Sequence, residues 1–443
     1  MKHGRMQRWR ALTATATVGL LVAACGNGDG NGAADDDGEA AGSATMLHGI
    51  TGEQEQEALQ AAVDAFEDAT GNSIEVEVSP DFDTVIVTRT TGGNPPDLAL
   101  YPQPGVLERI AEQGNAVTLE EAGVDDASLD ADLIDGMVDT GTFDDEAYGV
   151  VVALNLKSLL WYAPAALEEA GVDVPETWDD LTAATEQLAG QHSDEATAPW
   201  CIGMEAGGDT GWVGTDWVED MVLRTQGPDV YDQWVDGEVG FDSPEIREAF
   251  ELIEEIWFDE DAVVGGTTAI LQTPFLQANA PMFEDPAGCY FHRQAGFIAG
   301  EFPDDAELGT DVAMAYFPAV DESIGEPVLF AGDLAAVHTD NPVAAEFIDF
   351  LTSTEGQQAW LEHAGAGKLS VRSGFDTSIY PSEELGMQGD ILTEADVARF
   401  DASDMMPGEV GTGAFWTEIV AWVNGGQDLD TTLSNIDAAW PDS

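Results

Sequence analysis

Residues 200–217 read Trp200-Cys-Ile-Gly-Met-Glu-Ala-Gly-Gly-Asp-Thr-Gly-Trp-Val-Gly-Thr-Asp-Trp217, with three tryptophans, five glycines and no positive charge. Glycine lets a backbone turn sharply and approach a ligand closely. An indole offers a broad apolar face and one N–H donor, which suits a partner apolar on its faces and polar at its rim. A pyranose ring has that character. Trp200 and Trp217 can equally be core residues flanking a loop. Trp212 sits between glycines, outside helical or strand periodicity, where a ligand platform competes with core packing on even terms.

Other chemistries find little support. No GxxxxGK[ST] run occurs, so nucleotide phosphates have no cradle. There is no CxxC and the six histidines are scattered, so neither a metal site nor a cofactor is expected. Paired carboxylates could serve glycoside hydrolysis, but among 86 acidic residues such pairs arise by chance and single out nothing.

The elements that must position these residues alternate between two periods. Thr45–His48 reads as a strand, and residues 53–70 as a helix with Leu59, Ala62, Val63 and Phe66 on one stripe and Gly71 as its stop. Residues 73–78 alternate Ile74, Val76, Val78 as a half-buried strand. A strand ends at Tyr101, and Pro104 opens the next helix. Strand–helix–strand order in units of about 30 residues implies a mostly parallel sheet wrapped by helices, with ligands bound beyond the carboxyl ends of the strands. Further on, Pro164, Ser243-Pro244 and Asn341-Pro342 open helices. Residues 413–424 read as one helix with Phe415 and Trp416 in its first turn. Apolar extended runs at 148–155 and 313–317, and a Gly/Ser-rich run at 366–375, are candidate crossings between two sheets.

A chain of 443 residues exceeds what one core usually supports, so two lobes are expected. Four of its 13 basic residues lie in the first ten positions, leaving nine against 86 acidic ones. Such a surface repels nucleic acid and anionic membrane, and the scarcity of lysine points to adaptation to strong salt. The basic N-terminus and weakly apolar 11–24 form an export signal, too short for a permanent span. Leu21-Val22-Ala23-Ala24-Cys25-Gly26 is similar to a lipobox, with Cys25 the acylated residue. Residues 26–43 form a flexible tether, on the order of 25 Å long by random-coil scaling. Cys201 and Cys289 then remain, either as one disulfide or as two buried thiols.

Phe66-Glu-Asp-Ala-Thr-Gly71, Pro96-Asp-Leu-Ala99, Pro175-Glu-Thr-Trp-Asp-Asp-Leu181, Leu351-Thr-Ser-Thr-Glu-Gly-Gln-Gln358 and Phe400-Asp-Ala-Ser-Asp-Met-Met-Pro-Gly408 together resemble extracellular solute-binding proteins of ABC importers. Among these the chain resembles the carbohydrate branch, and within it alpha-glucoside binders, from about residue 44 to the C-terminus. The resemblance implies a non-catalytic monomer of α/β class with two lobes joined by three crossing segments, closing on a saccharide and docking on a membrane permease. It implies an N-terminal lobe of 44–153 and 318–366 and a C-terminal lobe of 154–317 and 367–443, held by the lipid anchor outside the cytoplasmic membrane. Carried over residue by residue, the contacts fall on Glu53, Gln54, Tyr101, Gln103, Asn155, Trp212, Asp216, Trp217, Tyr290, Gly332, Asp333 and Trp416. Gln54 departs from the Lys or Arg often found there in maltose-type proteins, and Asp216 can instead cap the helix it opens. The rival readings are a binding protein for a peptide or anion, and an exported glycoside hydrolase. Anion capture recruits Arg or Lys, of which few remain.

Overall fold

The computed structural model describes residues 41–441 except 135, 193–196, 304 and 364–366. The expected leader, Cys25 and all but the last residues of the tether lie outside the described residues.

The first sheet is built from strands Ser43–His48, Ser73–Val78 and Leu98–Tyr101, mutually parallel around the first of them. The long strand Pro327–Val337 adds antiparallel to Leu98–Tyr101 and to Gly149–Leu156, and Val397–Phe400 pairs parallel with its beginning. Helix Glu53–Thr70 has the bounds its periodicity predicts. Leu59, Ala62, Val63 and Phe66 are buried, and Gly71, at φ 77°, donates its N–H to the Glu67 carbonyl to end the helix. Phe66 meets Phe347 and Phe350 edge-on at 5.0 and 5.6 Å, so this helix and Pro342–Thr352 share one core face.

The second sheet runs Ala313–Tyr316, Leu159–Tyr162, Cys289–Arg293, Ala198–Trp200. Its core is aromatic. Trp217 packs edge-on against Trp200, Phe317 and Trp257 at 5.2, 5.7 and 5.8 Å. Such pairs each add about 0.5–1.5 kcal/mol beyond their burial. Cys201 and Cys289 are bonded, closing a loop across 88 residues. That bond staples the ends of two neighbouring parallel strands.

Two short segments join the sheets. Gly149–Leu156 leaves the first sheet, and after Lys157 and Ser158 the chain enters the second as Leu159–Tyr162. Ala313–Tyr316 leaves the second sheet and Pro327–Val337 re-enters the first. The third crossing differs. Leu369 exchanges backbone bonds with Leu154, and the Val371 carbonyl accepts from Ile134 N. The chain therefore stays in the first lobe until strand Val397–Phe400 and crosses at Asp401, not at 366–375, and the expected boundary at 366/367 moves to about 400. The reason is long-range pairing: residues 397–400 have a free edge of the long strand to occupy.

Two local readings also change. Trp212 is no loop residue but the first residue of helix Trp212–Gln226. The predicted helix at 413–424 divides into a wider turn, Glu409–Phe415, with i→i+5 bonding and α-helix Trp416–Val423, the kind of winding that gathers at functional sites.

Candidate functional site: a cavity between the lobes

A β-bulge sets one wall of the cavity. Between Gly149–Leu156 and Pro327–Val337 the register shifts at Asp333/Leu334, leaving Val152 as the extra residue. The ladder cannot satisfy its carbonyl, and Gln357 Nε2 donates to it at 2.7 Å instead. Bulges re-aim side chains. Beside this one, Asn155 on one strand, Lys157 just after it, and Gly332 and Asp333 on the other strand line a cavity of about 430 Å³.

Gly211 sets the opposite wall. Its φ is 128°, and a Cβ there would lie 2.6 Å from the Trp416 carbonyl oxygen. Only glycine lets the start of helix Trp212–Gln226 pass so close to the start of Trp416–Val423. Both indoles consequently reach the same cavity. Trp212 meets Phe275 edge-on at 5.0 Å and lies 6.1 Å from Phe297, forming an aromatic wall. Trp416 is 5% exposed and its Nε1 approaches Ser403 Oγ at 3.5 Å.

Charges converge here in two acid–lysine–acid groups. Lys157 Nζ donates to Asp216 at 2.7 Å and Asp401 at 2.5 Å and stands 5.6 Å from the Trp212 ring centroid. Burial alone would lower its pKa, but the fields of Asp216 and Asp401 hold it well above the usual lysine range. Burial would likewise raise Asp401, yet Lys157 keeps it down at about 2, so this carboxylate is the fixed anion of the group. Lys368 Nζ lies 2.6 Å from Asp333 and 3.4 Å from Glu55. Burial pushes Glu55 up to about 7 against the pull of Lys368. At the mouth, burial and the neighbouring Asp81 raise Asp209 to about 6.

Among the described residues lining this cavity, three buried acceptors have no hydrogen-bond partner: Gln103 Oε1, Asn155 Oδ1 and Asp216 Oδ2, the last 3.8 Å from Arg293 Nη1. Buried polar atoms are otherwise paired. An amide oxygen or carboxylate accepts from O–H or N–H donors, so the cavity is chemically ready for a ligand rich in hydroxyls and flat enough to lie on an indole.

Of the twelve residues singled out in the sequence, seven line this cavity: Gln103, Asn155, Trp212, Asp216, Gly332, Asp333 and Trp416. Five do not. Glu53 is exposed in the first helical turn and Gln54 is half-buried beside it. The wall is made by Thr51 and Glu55, because two residues along a helix turn a side chain by about 200°. Tyr101 is fully buried, its hydroxyl 2.7 Å from His338 Nε2. Trp217 is held in the aromatic core. Tyr290 pairs its hydroxyl with His192 Nε2 at 2.8 Å and lines a separate hollow of the second lobe. Asp216 is no cap: it lies in the second turn of its helix, 1% exposed, against Lys157. Sequence reasoning passed over Glu55, Lys157, Lys368, Asp401 and the pair Phe275 and Phe297. One signal was present. Beyond Lys2 the chain has only Lys157 and Lys368, and both are buried between two carboxylates at this cavity.

Residues 51–358 match the profile of bacterial extracellular solute-binding proteins. The chain is 38% identical over 405 residues to the osmoprotective compounds-binding protein GgtB of Synechocystis sp., covering 90% of this chain and 92% of that one. It is 37% identical to the alpha-glucosides-binding periplasmic protein AglE of Rhizobium meliloti, over 87% and 84% of the two chains. Among solved structures, maltose-bound T. maritima MalE3 matches with a TM-score of 0.71 at 18% identity, over 90% of this chain and 98% of that one. A chitin oligosaccharide binding protein matches at 0.74 and 16%, over 89% and 97%. These last two carry the two-lobed fold alone, which agrees with the paired sheets described above. With the profile spanning most of both lobes, the chain belongs to the bacterial extracellular solute-binding proteins.

Proposed function

We propose that this protein captures a neutral glucoside of about disaccharide size between its lobes and delivers it unchanged to the permease of an ABC importer. The supporting observation is the trio of acceptor atoms without a hydrogen-bond partner, Gln103 Oε1, Asn155 Oδ1 and Asp216 Oδ2, on residues lining a cavity floored by Trp212 and Trp416. Gln103 and Asn155 come from the first lobe and Asp216 from the second, and only a ligand touching both lobes shifts an open–closed equilibrium. Both lysines near the cavity are already saturated by carboxylates, and among the described residues lining it no other side chain is cationic. The names of the 38% and 37% identical relatives, for osmoprotective compounds and alpha-glucosides, favour the same ligand class. Lipidation of Cys25 and the flexible tether would hold the body at the outer face of the membrane.

Calorimetry with maltose, trehalose and sucrose tests the reading. At least one should bind with a Kd near or below micromolar, about −8 kcal/mol, and should be recovered chemically intact. Trp212→Ala and Trp416→Ala each remove a platform worth roughly 2–4 kcal/mol and should weaken binding at least tenfold. Unchanged affinity in both variants, or release of glucose, refutes it.

A further inference from the structure

Helix Trp212–Gln226 carries four charged residues on one stripe: Asp216, Glu219, Asp220 and Arg224, each at most 1% exposed. Spacings of three and four residues put them on a common face, and that face grips all three crossings. Asp220 accepts from Ser158 in the first crossing at 2.8 Å, and Ser158 Oγ in turn accepts at 2.7 Å from Leu329 N, in the strand that follows the second. Arg224 donates to the Pro318 and Pro327 carbonyls at either end of the second crossing, at 3.4 and 3.3 Å. Glu219 accepts from Ala402 N and Ser403 N in the third, at 2.8 and 3.2 Å.

One side chain belongs both to this hinge network and to the ligand cavity through a shared ion. Lys157 is the first residue of the first crossing, with its N–H bonded at 2.8 Å to Leu329 O in the strand that follows the second. Its ammonium joins Asp216 of the second lobe to Asp401 of the third crossing while lining the cavity beside Trp212. The other oxygen of Asp216, Oδ2, has no hydrogen-bond partner and stands 3.8 Å from Arg293 Nη1.

We propose that Lys157 is a positioning residue that couples occupation of the cavity to the angle between the lobes. A ligand hydroxyl donating to Asp216 Oδ2 fixes that carboxylate. The carboxylate fixes Lys157, and Lys157 fixes Asp401 and with it the third crossing. Rotation of one lobe moves Asp216 relative to the crossings, so the three-way ion contact is complete only over a narrow range of angles. The proposal rests on the cavity being the ligand site.

The test uses the full chain with spin labels on noncanonical residues at the exposed positions Asp68 and Asp173, one on each lobe, leaving the cysteines untouched. Inter-lobe distances are measured with and without maltose, trehalose and sucrose. The test variant is Asp401→Asn, which keeps Asp216 as a partner for Lys157, and Lys157→Met is a harsher second variant. Asp333→Asn, which cuts the Lys368 pair outside the hinge, is the control. In the wild type a saturating bound sugar gives one short distance. In Asp401→Asn, sugar at about ten times that variant's own Kd leaves two populated distances, whereas Asp333→Asn weakens affinity yet closes fully. Complete closure of Asp401→Asn at saturation, whatever its Kd or melting temperature, overturns the proposal. If none of the sugars alters the wild-type distances, the saccharide reading fails separately. The coupling then stands on the ligand-free distribution, which must broaden in Asp401→Asn, and an unchanged distribution overturns it.

Discussion

Replacing Glu55 by glutamine removes one ionisation from the cavity wall while keeping the side chain's shape. Glu55 lies 3.4 Å from Lys368 and its side chain is 12% exposed. Burial raises its pKa from 4.5 to about 7, Lys368 opposes the shift and Asp333 reinforces it. A raised carboxyl favours the folded state while it is protonated. Its contribution is complete below about pH 4.5, where both states carry the proton, and is lost as pH rises through 7. At about 1.4 kcal/mol per pKa unit, the loss is on the order of 3 kcal/mol. Glutamine cannot ionise, and Lys368 keeps Asp333 at 2.6 Å. Glu55→Gln should therefore match the wild type near pH 4.5 and exceed its unfolding free energy at pH 8 by up to about 3 kcal/mol. Urea unfolding of both proteins in strong salt, at half-unit pH steps, reads the difference directly. Parallel curves from pH 4.5 to 8 would show that the Glu55 carboxyl is not raised and would refute the reasoning.

Two further predictions concern the whole body. With a net charge of −73, dialysis from about 1 M to about 0.01 M salt lengthens the screening distance from about 3 Å to about 30 Å. The melting temperature should fall and recover when salt is restored; a salt-independent melt would refute adaptation to strong salt while leaving the ligand reading intact. The Cys201–Cys289 bond closes a loop across 88 residues, worth about 4–5 kcal/mol on the chain-entropy model. Replacing both by serine should lower the urea midpoint by a corresponding amount, and an unchanged midpoint would show that the bond does not hold the second lobe.

Local structure was largely legible in the order of residues. The stripe Leu59, Ala62, Val63, Phe66 with Gly71 behind it fixes helix Glu53–Thr70 to the residue, and the alternation at Ile74 and Val76 fixes its neighbouring strand. These patterns repeat within a turn or a pleat, so a short window contains them. Which side chain faces the cavity is a different matter. Tyr101 and Gln103 are two residues apart, yet one is sealed against His338 and the other lines the cavity. The glycines around Trp212 suggested a loop, but Gly211 instead serves the close passage of two helix starts. Lys157 and Asp401 are 244 positions apart and meet only because strand Val397–Phe400 occupies an edge of the first sheet and moves the third crossing. Composition decided that the chain is acidic and large enough for two lobes. The tertiary structure decided where its two remaining lysines go, because a buried ammonium is stable only where folding brings carboxylates from distant segments to it.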